Sequence, residues 1–271
     1  MSMSETAALS ARQRWLAQKR RDKFLVRSAK IGILIGFLLL WETAARLGWI
    51  DPFITSCPSR FTSSILRLFS KGELMQHIAI TTFEAVAGFI LGTALGTFIA
   101  IALWCSDFLC KVSEPYLVIL NALPKIALGP IFIVWIGAGA FSIIVIAITV
   151  SIVVTILEVL SGFRATDPEM IKLAQTFGAS KRQILTKVVL PANIPTIISS
   201  LKVSVGMSWV GVIVGEFLIS RAGLGYLIVY GSQVFQLDLV MASVVILSVI
   251  ATLMFFCIQC IERLLKKHNS K

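Results

Sequence analysis

Six mainly apolar runs divide this chain, over residues 29–47, 78–104, 116–136, 141–161, 195–219 and 239–261. Each is close to the roughly 20 residues a helix needs to cross the hydrocarbon of a bilayer. Such runs constrain the fold more than any other feature, because together they take up most of the sequence. Composition points the same way: 57% of the 271 residues are hydrophobic and 14% charged. A soluble domain of this length needs more charged residues to cover its surface. The expected fold class is an all-α membrane protein built as a six-helix transmembrane bundle.

The net charge of +11 would suggest nucleic acid or an anionic surface if the chain were soluble. Placed against the spans, it reports topology instead. Segments 1–30, 105–112, 162–192 and 262–271 hold 8, 1, 5 and 4 Lys and Arg. The intervening segments 48–76, 137–140 and 220–238 hold 3, 0 and 1. By the positive-inside rule both termini are expected in the cytoplasm, with no nucleic-acid partner and with lipid as the main solvent. Expected boundaries are a basic cytoplasmic tail over 1–30, a membrane domain over 31–262 enclosing a loop at 162–193, and a cytoplasmic tail over 263–271. The long basic tail, and Glu42 and Arg46 flanking the apolar stretch Ile31 to Trp41, predict an uncleaved first helix rather than a signal peptide. Glu42 and Arg46, four apart, are expected to pair.

Catalytic chemistry finds little to work with. Five cysteines without regular spacing predict no disulfide framework. Cys257 and Cys260 form a CxxC, but no second pair accompanies it to complete a four-ligand zinc site. His77 and His268 are far apart. No catalytic residue and no metal site is expected.

Small residues recur four apart at Gly32 and Gly36, at Gly88, Gly92 and Gly96, and at Gly211 and Gly215, a spacing that lets helices approach closely. On the fifth span Ser200, Ser204, Ser208, Gly211 and Gly215 share one face, for which close packing is the plainest reading. Trp209 and Glu216 share another at i, i+7. Glu216 is a candidate gate or pathway group; otherwise it pairs with a base such as Arg221 or meets a partner protein. Lys202 is expected to snorkel to the cytoplasmic interface.

The third span is irregular, since Pro115, Pro124 and Pro130 each lack a backbone donor. Lys125 falls within it. Two readings stand: an ionisable group at bilayer depth that meets the solute, or a lysine that snorkels to the interface. Pro124, Lys125, Pro130, Trp209 and Glu216 are the candidate pathway residues.

The 162–193 loop carries the most local information. Asp167 can cap a helix that starts at Pro168, with Glu169 in its first turn. Gly178 is a natural stop. Ser180 and Gln183 fit a capping box for a second helix, which Leu190 and Pro191 should close. Met170, Ala174 and Phe177 form one expected apolar stripe, and Ile184 and Val188 with Leu185 another.

The series Ala174, Gly178, Val188, Leu190, Pro191 resembles the loop motif of permease subunits of ATP-binding-cassette importers. Lys172 and Leu173 stand where that motif usually has Glu and Ala. The resemblance runs over nearly all the chain after residue 30 and is nearest to the nitrate, sulfonate and taurine branch. It includes Trp41-Glu42, Pro58-Ser59, Gly72-Glu73-Leu74, residues 122–127 with Pro130, Trp135-Ile136-Gly137, Gly215-Glu216 and residues 223–226.

The resemblance implies a type I importer permease whose loop residues Lys172, Leu173, Ala174, Gly178, Val188, Leu190 and Pro191 couple it to a cytoplasmic ATPase subunit. It also implies an extracytoplasmic substrate-binding protein and a permease homodimer. The chain has no GxxxxGK[ST] segment to cradle a nucleotide, so no cofactor of its own is expected and ATP falls to the partner. The expected function is passage of a small polar solute, nitrate-, sulfonate- or taurine-like or a related organic compound. A channel or secondary transporter that works without an ATPase is the alternative, and it would be expected to carry more intramembrane acids or a repeat.

Overall fold

Apolar runs with few interior breakers fold into long helices, and the computed structural model shows how they assemble. It describes residues 3–269, with side chains for residue 15 and residues 18–264. Arg12, Arg14, Lys266, Lys267 and Lys271 of the expected tails have side chains outside the described residues.

Thirteen α-helices follow one another among the described residues. They are α1 (Met3–Arg46), α2 (Pro52–Thr55), α3 (Pro58–Ser70), α4 (Glu73–Cys105), α5 (Asp107–Ala122), α6 (Gly129–Ile136) and α7 (Ala140–Arg164). Then come α8 (Pro168–Thr176), α9 (Lys181–Ile184), α10 (Leu190–Ala192), α11 (Ile194–Ile219), α12 (Leu224–Gln233) and α13 (Leu237–Asn269). Five of them, within α1, α4, α7, α11 and α13, are long and apolar enough to cross a membrane. The sixth span is broken: α5 meets the segment Lys125–Ile136 at 88°.

The chain divides into two compact units, Met1–Ser63 and Ser64–Lys271. In the first, Arg46 Nε donates to Glu42 Oε1 at 2.8 Å, as the spacing predicts. The other Glu42 oxygen accepts from the Ser59 N–H at the start of α3, and Trp41 packs on Phe61.

In the second unit α7 is the central helix, flanked by α4 and α11. The reason is in the small residues. A β-carbon at Gly88 would lie 2.6 Å from Ala147 Cβ, and one at Gly211 2.5 Å from Ala147 Cα. One alanine of α7 thus seats a glycine from each neighbour. Gly96 lies against Thr155, whose hydroxyl bonds that of Ser204 at 2.7 Å. The serine-glycine face of α11 therefore serves packing.

One core cluster joins Ala85, Phe89, Ile143, Ala147, Val205, Trp209, Val212 and Ile258. A second gathers Leu103, Cys110, Ile156, Leu160, Phe163, Ile184, Leu185 and Val189 beneath the 162–193 loop. Lys202, expected to snorkel, forms an ion pair with Glu262 of α13.

Candidate functional site

The 162–193 loop folds as a helical hairpin whose ends are set by local chemistry. Asp167 Oδ1 accepts from the Glu169 N–H at 2.8 Å, and Pro168 takes the first helical position, where its missing donor is not needed. At the far end Gly178 adopts φ +76°. Its N–H donates to Gln175 O and that of Ala179 to Ala174 O, the paired bonds of a Schellman turn. Ala174 is thus the residue onto which the turn closes. Ser180 and Gln183 then form a reciprocal capping box.

The second helix departs from expectation. Leu190 and Pro191 do not end it; the backbone continues from α9 through a π-helical stretch, Leu185–Val189, into α10 and stops at Asn193. Proline near a helix start costs little, and the wider π turn before it rearranges the ladder it would interrupt. Asn193, buried, explains the stop. Its side-chain amide donates to Thr166 Oγ1 at 2.7 Å and to Val189 O at 2.9 Å, fastening the hairpin's exit to its entrance.

The stripe on α8 also differs by register. Met170, Leu173 and Phe177 point outward, 52%, 54% and 83% exposed, while Ile171 and Ala174 pack on the core below. The Schellman closure draws Ala174 inward and leaves Leu173 outside. Of the predicted loop residues, Lys172, Leu173, Gly178 and Pro191 are exposed, and Ala174, Val188 and Leu190 pack against the core cluster. Below the hairpin Arg164 reaches both Glu114 oxygens at 3.1 Å, and Lys181 meets Asp107 at 3.4 Å.

The broken third span breaks at one proline of three. Pro115 is accommodated inside α5, and Pro130 sits in the first turn of α6. Leu123 is extended ahead of Pro124, the conformation proline imposes on its predecessor. Lys125 is half-buried, and its Nζ donates to Asn121 O at 3.1 Å. It caps carbonyls left open at the end of α5. Pro124 and Pro130 are exposed.

Trp209 and Glu216 are buried within the unit. Glu216 has a role the sequence did not suggest. Its Oε2 accepts from the Gly225 N–H at 2.5 Å and the Tyr226 N–H at 3.3 Å. From α4, His77 Nδ1 accepts from the Gly223 N–H, and Thr81 Oγ1 from that of Leu224. Four consecutive donors at the start of α12 are thus held by side chains of α4 and α11. A sequence signal existed, in the polar series His77, Thr81 and Glu84 along one side of an otherwise apolar span. Its partners lie too far along the chain to be inferred.

Residues 92–271 match the family of binding-protein-dependent transport system inner membrane components. A probable ABC transporter permease protein of Haemophilus influenzae is 33% identical over 86% of this chain and 95% of its own. A putative aliphatic sulfonates transport permease protein of Bacillus subtilis is 30% identical over 86% and 85%. Among solved structures, a bacterial ABC transporter that imports the acidic polysaccharide alginate shares the fold with a TM-score of 0.61 at 15% identity, over 92% of this chain and 98% of that one. Six predicted spans, a capped hairpin and these matches agree: the chain belongs to the binding-protein-dependent transport family, as a permease subunit of an ABC importer.

Proposed function

We propose that the hairpin is the surface through which a separate cytoplasmic ATPase subunit drives this translocation subunit. The observation that carries the reading is the outward face of α8. Met170, Leu173 and Phe177 present three large apolar side chains on a helix capped at both ends. A face like this exposes a hydrophobic patch that a partner groove can bury. Its mount is rigid, because Ile184, Leu185 and Val189 are buried with Leu103, Leu160 and Phe163. Force applied at α8 would pass directly to α4 and α7.

In this reading both termini and the hairpin face the cytoplasm of a bacterial inner membrane, and a substrate-binding protein delivers the solute on the other side. Two copies of the permease enclose the pathway. The solute is small and polar, of the sulfonate, taurine or nitrate kind or a related organic compound. The sulfonate permease relative supports that class. Lys125 and the broken helix ends around Pro124 and Pro130 would offer an anion positive charge and free backbone donors.

Two variants test the coupling. Phe177→Asp places a charge in the docking face without touching the core, and Gly178→Val strains the Schellman turn, where φ is positive. Each should reduce ATPase co-purification and ATP-driven uptake by roughly tenfold or more, the size seen for interface anchors. Normal uptake with normal membrane levels would overturn the proposal.

A further inference from the structure

Glu84 of α4 and Glu216 of α11 are each 1% exposed, and they meet at one corner of the bundle: Thr81, one turn before Glu84, takes the Leu224 N–H, and Glu216 takes the adjacent Gly225 N–H. One oxygen of each, Glu84 Oε2 and Glu216 Oε1, has no hydrogen-bond partner among the described residues. Neither acid takes part in an ion pair among the described residues. Two adjacent buried carboxylates without a counter-charge are strongly unfavourable in an apolar bundle.

The surroundings supply part of the missing charge. The Gly225 and Tyr226 N–H groups at the start of α12 point at Glu216, and a helix amino end carries about half a positive charge. Other groups facing the pair add no cation. His77 accepts a hydrogen bond through Nδ1, which makes it neutral, and Thr81 and Tyr226 are uncharged. Arg221 lines the same cavity as Glu84 but forms no ion pair with it. That cavity, of about 450 Å³, reaches Glu84 between Ile80, Gly139, Ile143 and Ser220.

We propose that the Glu84–Glu216 pair is a site for one monovalent cation, a proton or an alkali ion, admitted through this cavity. The bound charge joins the two unpartnered oxygens and thereby holds α4 to α11. Because Glu216 also grips the start of α12, an occupied site fixes the 220–233 segment, and an empty one loosens it through repulsion between the acids.

The test uses the purified full chain in nanodiscs. Thermal unfolding is measured between pH 5.5 and 8.5, in sodium, potassium or choline chloride at equal ionic strength, for the wild type and Glu84→Gln. Glu84→Met replaces the second protein should the amide variant fail to accumulate. The wild type should gain about 3–5 °C on filling the site, the shift a roughly tenfold change in the folding equilibrium produces in a chain of this length. A gain with sodium or potassium over choline at pH 8.5, absent from the variant, assigns an alkali ion. A gain with acid alone, absent from the variant, assigns a proton. If the wild type responds to neither, or the variant keeps the whole response, the site does not exist. The readout is stability, so either result is independent of ATPase docking.

Discussion

Gly178 and Gly223 both have positive φ, +76° and +117°, yet their surroundings are opposite. Gly178 has no atom within 4 Å of where a β-carbon would stand; at Gly223 that carbon would lie 2.5 Å from the Glu216 carboxyl. Alanine at 178 should therefore cost only the backbone term, about 1–2 kcal/mol. Alanine at 223 adds a clash with a carboxylate that cannot withdraw without releasing α12. Thermal unfolding of the two variants should show Gly223→Ala the less stable by several degrees; equal midpoints would contradict the described grip on α12. Among residues, the local ones were legible. Asp167, Gly178, Ser180 and Gln183 act on neighbours within a few positions, so sequence spacing alone defines them. Glu216 was legible only as an anomaly, since the elements it joins are closed by tertiary packing.

Helices were readable from hydropathy, but their arrangement was not. Nothing in the sequence shows that Gly88 of α4 and Gly211 of α11 address the same Ala147 of α7, although the four-residue spacing announced close approach. Ala147→Leu should push both neighbours away at a cost of about 1–3 kcal/mol, as overpacking does, and an unchanged unfolding midpoint would refute the shared seat. Pro191 misled for a physical reason: proline ends a helix when a donor is lost from its interior, and here it falls in the first turn after a π stretch. The true stop is Asn193, whose amide binds Thr166 and Val189. Asn193→Ala leaves those acceptors without this donor and should cost about 1–3 kcal/mol. Faster amide exchange across 166–192 is the expected sign, and exchange as slow as in the wild type would show that the hairpin is held by its apolar contacts alone.

For the molecule as a whole, the expected orientation rests on the basic residues and the proposed function on the hairpin. The fold was legible because spans, capping signals and the glycine at the turn agree with one another. The direction in which α8 faces was not, because Ala174 and Leu173 both fit an apolar stripe until the turn closes on Ala174. That direction now carries the central claim, that an ATP-hydrolysing partner seizes the permease at Met170, Leu173 and Phe177. The most direct measurement places a photo-cross-linking amino acid at Phe177 in cells that express the complete transport system. The account predicts a covalent adduct between this chain and the ATP-binding subunit, and none from the same probe at Trp49, in a segment expected on the opposite side of the membrane. An adduct from Trp49 and none from Phe177 would contradict it.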